Sequence, residues 1–130
     1  MRNDRMAVGY LEDARVKVEE LAPLMKRRRF NIVVREAQES VELMLKAALR
    51  WMGIEPSKIH DVSEILLRER GRFPSFFQNE IGKIAEISRV LTRERGRSFY
   101  GDEDRGIPAS ELYSESDARE ATESVRLVLD

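Results

Sequence analysis

The sequence predicts an all-α protein, an antiparallel bundle of four to five helices. Apolar residues recur at steps of three and four along most of the 130-residue chain. No stretch alternates apolar and polar residues in the way of a half-buried strand. Charged residues make up 36% of the composition, which suits helices with one apolar and one charged face. A chain of this length is typical of one domain, so residues 1–130 are interpreted as a single helical domain.

The first two predicted helices are separated by a proline and a basic run. The first helix begins near Asn3 or Asp4, either of which is suited to cap it. Because proline lacks an amide hydrogen, Pro23 should kink or end this helix, and the basic run 26–29 follows. The second helix should stop at Gly53. Its inward-facing residues are Val33, Ala37, Val41, Met44, Leu45, Ala48, Trp51 and Met52.

Two further helices follow in the middle of the chain. The third is predicted to run from a cap at Ser57 to Gly71, which is able to take the left-handed cap conformation. Ser75 and Gln78 have the spacing of a capping box, so a fourth helix should start there and run towards Tyr100. The inward-facing residues of these two helices are Ile59, Val62, Ile65 and Leu66, then Phe77, Ile81, Ile84, Ser88 and Leu91.

The last part of the chain is predicted to be a long loop and a final helix. Residues 101–113 mix Gly, Asp, Pro and Ser, which is typical of a loop, and Ser116 should cap the helix that follows. The similar segments 68–72 and 93–97 are interpreted as two helix ends, with arginines facing the helix dipole and glycine as the cap. The final helix carries inward-facing Ala118, Ala121, Val125, Val128 and Leu129.

Composition excludes several classes of function. The chain has no cysteine, which excludes disulfides, thiolate catalysis and zinc–thiolate sites. Its formal net charge of −1 argues against a general nucleic-acid coat and against a polybasic membrane anchor. No apolar run approaches the length of a membrane span, and the N-terminus has no apolar signal-peptide region. We therefore expect a cytoplasmic protein without a membrane segment and without a cofactor.

The chain has one histidine, His60, followed by Asp61. A lone histidine cannot form a His-rich metal site, so no metal is expected. The pair is predicted to lie in the first turn of the third helix, where Asp61 suits the positive dipole end. His60 is either a structural histidine at a helix start or a general acid/base for RNA cleavage. The structural interpretation is preferred because no second catalytic partner is evident near it in sequence.

Two other polar groups are candidates for a site. Glu42 and Lys46 have the favourable order and spacing of a helical ion pair, which we expect to be exposed unless it is buried at a dimer seam. Arg97, Tyr100 and Asp102 lie where the fourth helix gives way to the loop. They form either the lining of a ligand pocket or a structural corner, and their ordinary turn chemistry favours the corner.

The aromatic residues near the ends of the second and third helices are predicted to pack in the core or against a second subunit. Phe73, Phe76 and Phe77 flank the turn before the fourth helix and are predicted to be core. Trp51 and Met52 are either core or a dimer contact, because large apolar residues at the edge of a small bundle often cover a partner.

Four segments of the chain carry a family resemblance. Residues 37–47, AQESVELMLKA, match the pattern A-x-x-A-x-E-x-x-L-K-A except at Ser40. Residues 59–62 read IHDV, residues 97–102 read RSFYGD, and residues 113–118 read YSESDA. In this order, over nearly the whole chain, these segments resemble the HEPN domain family.

The resemblance implies an antiparallel helical bundle that is usually a homodimer. Some members of this family are metal-independent endoribonucleases, often toxins, in which arginine–x(4–6)–histidine motifs meet across the dimer. Others lack that motif, accompany a minimal nucleotidyltransferase and are thought to bind nucleotide or substrate. The resemblance is also compatible with a toxin–antitoxin module.

The sequence departs from the ribonuclease pattern before His60. Gly53, Ile54 and Glu55 stand at the positions where the motif has arginine. The predicted function is therefore a non-catalytic, dimeric nucleotide- or substrate-binding partner of a minimal nucleotidyltransferase, with no firm catalytic residue. The alternative is a metal-independent endoribonuclease with a divergent site around His60, and RNA is a partner only in that case. The candidate ligand or dimer residues are Glu42, Lys46, His60, Asp61, Arg97, Tyr100 and Asp102.

Overall fold

The structure is a computed structural model that describes residues 4–56 and 62–129. Within these ranges it is helical and contains no strand, so the predicted all-α bundle is confirmed. The α-helices are α1 (Asp4–Glu19), α2 (Leu21–Lys26), α3 (Phe30–Trp51), α4 (Ser63–Arg68), α5 (Ser75–Gln78), α6 (Ile81–Arg93), α7 (Arg95–Tyr100), α8 (Ala109–Leu112) and α9 (Glu115–Leu129). A short 3₁₀ turn spans Arg70–Arg72.

Helix α3 is the centre of the bundle, packed against α1, α9, α6 and α7. It holds 22 residues without glycine or proline. Its predicted apolar stripe is buried at Val33, Ala37, Val41, Met44 and Leu45, but Ala48 and Met52 are only partly buried and Trp51 is exposed. It ends as predicted at Gly53, whose φ is +77°. The Ile54 amide donates to the Leu49 carbonyl at 2.8 Å and the Gly53 amide to the Arg50 carbonyl at 3.0 Å. These two bonds form a Schellman motif, which explains why the helix stops here.

The predicted break near Pro23 is confirmed. Helix α1 ends at Glu19, and Pro23 lies in the first turn of α2, where its missing amide hydrogen is tolerated. Lys17 of α1 forms salt bridges with two glutamates of α3: its Nζ lies 3.1 Å from the Glu36 carboxylate and 2.7 Å from the Glu39 carboxylate. Burial alone would lower the pKa of Lys17, but the hydrogen bonds to Glu39 and Glu36 outweigh it and raise that pKa above its ordinary value of 10.5.

A helix begins at Ser75 as predicted, but the predicted capping box and a continuous fourth helix from that residue are wrong. Pro74, with φ −58° and ψ 154°, precedes the four-residue helix α5, and the chain then enters α6 at Ile81. The Gln78 side chain does not form a capping box, because its amide donates to the Phe73 carbonyl at 2.6 Å. Gly71 is not a left-handed cap either, since it lies inside the 3₁₀ turn and its φ is not positive.

The glycine cap predicted at Gly96 and the serine cap predicted at Ser116 are also wrong. Gly96 lies inside α7, and the left-handed residue that ends this helix is Gly101, with φ +79°. Helix α9 is capped by Ser114, whose hydroxyl accepts from the Asp117 amide at 3.2 Å. The Asp117 carboxylate in turn accepts from the Ser114 amide at 2.8 Å. This is a capping box with aspartate at its third helical position.

The predicted inner faces of the later helices are confirmed where the structure describes them. Ser57, Ile59, His60 and Asp61 lie outside the described residues, and the described part of the third predicted helix begins at Ser63. None of the described helices is long and apolar enough to cross a membrane. The buried residues on these faces include Val62, Ile65, Leu66, Ile81, Ile84, Ser88, Leu91, Ala118, Ala121 and Val125.

Candidate functional site

Three of the predicted site residues lie together at the end of α7. Arg97, Tyr100 and Asp102 line one shallow depression of about 440 Å³, with residues 96, 101, 103 and 104 completing its wall. The Tyr100 ring is exposed. It packs at a tilted angle against the Phe99 ring, with the two ring centroids 4.6 Å apart. The structure therefore places these three residues together at the helix end.

Asp102 has a structural role within this depression. Its backbone forms two hydrogen bonds with Ile107, at 2.9 and 3.0 Å, which close the loop that begins at Gly101. Its carboxylate accepts from the Arg105 amide at 3.2 Å and lies 3.7 Å from the Arg105 guanidinium. Asp102 thus stabilises the turn, as expected of a structural corner.

Arg97 is the cation that this region leaves available. Its side chain is exposed and forms no ion pair with any carboxylate in the described part of the chain. Arg97 also borders a second depression of about 340 Å³ between α6, α7, α8 and α9, which contains Glu94 and Tyr113. An unpaired guanidinium between two depressions is suited to bind an anionic group in bidentate fashion.

Tyr113 provides a fixed hydrogen-bond donor in the second depression. Its hydroxyl donates to the Glu94 carboxylate at 2.6 Å. Burial, and then the hydrogen bond and charge of Glu94, raise the pKa of Tyr113 well above its ordinary value. The phenol therefore stays protonated at neutral pH, and Glu94 is engaged by it rather than by Arg97.

Glu42 and Lys46 form a separate polar cluster, and the expectation that their pair is exposed is wrong. Their head groups lie 3.0 Å apart and each side chain is only 14% exposed. The Gln38 amide donates to Glu42 at 3.0 Å, and Arg95 donates to Gln38 at 3.0 Å and lies 3.7 Å from Glu42. Helix α7 covers this face of α3, which is the reason for the burial.

Sequence reasoning missed Gln38 and Arg95 as members of this polar cluster. Gln38, Glu42 and Lys46 recur every four residues, and that spacing was the signal available in the sequence. Arg95 has no such signal, because its place beside Glu42 depends on how α7 packs on α3.

The predicted aromatic core is only partly correct. Phe73 is buried and stacks on Phe77 at 4.7 Å between ring centroids, but Phe76 is 75% exposed. Phe76 borders an apolar groove of about 470 Å³ between α1, the end of α3 and residues 73–77. Trp51 also lines this groove and is 48% exposed, so it is not a core residue.

His60 and Asp61 lie outside the described residues, so the structure does not place them relative to Arg97 and Tyr100. Within residues 4–56 and 62–129, no three histidine, aspartate or glutamate side chains are grouped so that they could hold a metal ion.

The HEPN domain model matches residues 7–130, nearly the full length of the chain. The chain belongs to the HEPN domain family. No curated protein and no solved structure matches it significantly. In this HEPN domain, the resembling segments 37–47 and 97–102 form the middle of α3 and the α7–loop junction, where the two polar clusters described above lie.

Proposed function

We propose that this HEPN protein is a non-catalytic, homodimeric partner of a minimal nucleotidyltransferase and that it binds a nucleotide or a substrate of that enzyme. The proposed setting of the pair is a toxin–antitoxin module. The observation that carries the proposal is the family match over residues 7–130, joined to the missing arginine of the ribonuclease motif.

The residues that replace the arginine have other roles in the fold. Gly53 takes a left-handed conformation at the end of α3, where a side chain would be strained. Ile54 is buried beside it, and Glu55 carries the opposite charge and pairs with Arg50 at 3.2 Å. None of the three supplies a cation for a transition-state phosphate, which supports a non-catalytic role.

Arg97 and Tyr100 are the proposed nucleotide contacts. The Arg97 guanidinium suits a phosphate, and the exposed Tyr100 ring offers a flat apolar face for a base. Both side chains line the same depression, so one ligand of nucleotide size is able to reach them together.

Replacing Arg97 with alanine is expected to weaken ATP binding by roughly tenfold or more, because a charge-assisted hydrogen bond to phosphate is lost. Titration calorimetry of the full chain measures this change. Arg119→Ala is the matched control, since Arg119 is also exposed but pairs with Glu115 at 2.7 Å on α9. If both variants bound ATP equally weakly, Arg97 would not be a nucleotide contact.

The partner proposal has its own test. A nucleotidyltransferase encoded beside this chain should co-purify with it. If neither that protein nor any nucleotide binds, the proposed function is wrong. Metal-free RNA cleavage that is lost in His60→Ala would instead support the endoribonuclease.

The apolar groove is the proposed homodimer surface. It is lined almost entirely by apolar atoms and exposes Val8, Trp51 and Phe76. A second copy of the chain would remove these side chains from water, which favours association.

Replacing Trp51 and Phe76 together with serine is expected to convert the dimer to a monomer, because the largest exposed apolar side chains of the groove are lost. Light scattering after size exclusion measures the mass. Phe99→Ser is the matched control, since Phe99 is an exposed aromatic residue outside the groove. A monomeric wild type, or a double variant that stays dimeric, would contradict this surface.

A further inference from the structure

The corner between α2 and α3 concentrates positive charge. Lys26, Arg27, Arg28 and Arg29, here named the basic corner, are consecutive and exposed. None of them forms an ion pair with a carboxylate in residues 4–56 or 62–129. Many arginines elsewhere on the chain do have such a partner, as Arg119 has. In a chain of net charge −1, four adjacent unpaired cations form a local patch suited to a polyanion.

The backbone of Arg28 supports a functional role for this patch. Its φ is +57°, and it is the one non-glycine residue in the described ranges with a positive φ. Glycine or asparagine usually occupies such a position after a helix. The Arg28 guanidinium lies 5.2 Å from the centre of the Phe30 ring, which holds the side chain at the surface. An arginine kept in an unfavourable backbone conformation indicates that its side chain is used.

An exposed aromatic ring, Phe99 of α7, lies beside the first turns of α3, the helix that begins directly after the basic corner. Asn31 and Arg35 lie one turn apart on the face of α3 that α7 covers. The Asn31 amide donates to the Ser98 carbonyl at 3.4 Å, and the Arg35 guanidinium lies 4.6 Å from the centre of the Phe99 ring. Phe99 is nevertheless 54% exposed. Arg35 therefore supports one side of a ring that is partly open to solvent.

We infer that the basic corner and Phe99 bind single-stranded nucleic acid. The guanidinium groups of the corner contact successive phosphates, and an unpaired base stacks on Phe99. A single strand fits better than a duplex, because only an unpaired base offers its face to an aromatic ring. An acidic protein surface would use the cations but would leave the supported ring without a role. This site uses residues other than the proposed nucleotide contacts Arg97 and Tyr100, and the two sites meet where the Phe99 ring packs against the Tyr100 ring.

Reversing the charge of Arg27 and Arg29 to glutamate tests the phosphate contacts. Fluorescence anisotropy of the full chain with labelled oligouridine and oligothymidine should show at least roughly tenfold weaker binding and a shallower salt dependence. The control is Arg68→Glu with Lys83→Glu, which makes the same charge change on exposed residues of α4 and α6. Equal losses in the two double variants would overturn the site. The oligonucleotide that binds more tightly shows whether the site prefers RNA or DNA.

Replacing Phe99 with alanine tests the stacking contact. Affinity for the single strand should fall by roughly fivefold or more, and affinity for a duplex of the same phosphate count should not change. A duplex that binds as tightly as the single strand to the wild type would overturn the inference. So would a polyglutamate peptide that competes as well as the oligonucleotide, because the site would then belong to an acidic protein.

Arg28→Gly separates binding from folding. Glycine relieves the left-handed backbone, so the melting temperature should rise while oligonucleotide affinity falls. A variant that is more stable and binds equally well would show that Arg28 has no part in the site.

Discussion

Replacing Gly101 with alanine is expected to lower the free energy of unfolding by about 2–5 kcal/mol, as the sum of a left-handed backbone cost and a steric cost. Gly101 has a φ of +79°. An added Cβ would collide with the Ile107 carbonyl oxygen and would lie 2.7 Å from the Ala109 nitrogen and 2.9 Å from the Pro108 carbonyl carbon. These are backbone atoms, so no side-chain rotation relieves the contacts, and the loop after α7 must move.

Gly106→Ala is the matched control for this substitution. Gly106 lies in the same loop with a φ of +67°, but an added Cβ would meet no atom within 4 Å. Gly106→Ala should lower the free energy of unfolding by only about 1–2 kcal/mol, because the cost of the left-handed backbone remains but the collision is absent. Urea denaturation followed by far-UV circular dichroism measures both values. Similar losses would show that the close approach of the loop to Gly101 does not contribute.

Local chemistry in the sequence explains why some helix ends could be predicted and others not. Gly53 was predictable, because it follows the longest apolar stripe and the bonds of its Schellman motif are local. Gly71 and Gly96 share the same arginine-rich surroundings but do not end their helices. The glycine that does so after α7 is Gly101, whose need for glycine comes from a contact with the returning loop. A local pattern does not reveal such a contact.

The start of α9 shows a different kind of error. Ser114 and Ser116 are both suited to cap a helix, but only Ser114 has an aspartate three residues later. Ser116 is followed at that distance by Arg119, which has no acceptor for a backbone amide. The sequence therefore contained the information, and the reciprocal bonds of Ser114 with Asp117 decide the choice.

The candidate sites differ in how far the sequence could predict them. Arg97, Tyr100 and Asp102 are close in sequence at a helix end, so their meeting in one depression follows from local structure. The burial of Glu42 depends instead on α7, which is distant in sequence and packs on α3 only in the folded chain. Helical spacing predicts that Glu42 reaches Lys46, but it does not predict which faces of α3 are covered.

Replacing Glu42 with glutamine is expected to lower the free energy of unfolding by about 2–4 kcal/mol, because it leaves a largely buried cation without its counter-charge. The substitution keeps the size and shape of the side chain. It removes the charge that Lys46 contacts at 3.0 Å and that Arg95 faces at 3.7 Å. Urea denaturation of the variant and the wild type measures the difference.

Glu115→Gln is the matched control, since Glu115 and Arg119 have the same spacing and lie 2.7 Å apart, but their side chains are 45% and 68% exposed. Glu115→Gln should lower the free energy of unfolding by less than about 0.5 kcal/mol, because water screens the exposed pair. Adding Lys46→Met to Glu42→Gln should recover part of the stability, since the unpaired ammonium is then removed and an apolar chain of similar length fills its place. A double variant no more stable than Glu42→Gln would mean that the cost arises at Gln38 and Arg95, through the hydrogen bonds that position α7, and not from the charge of Lys46.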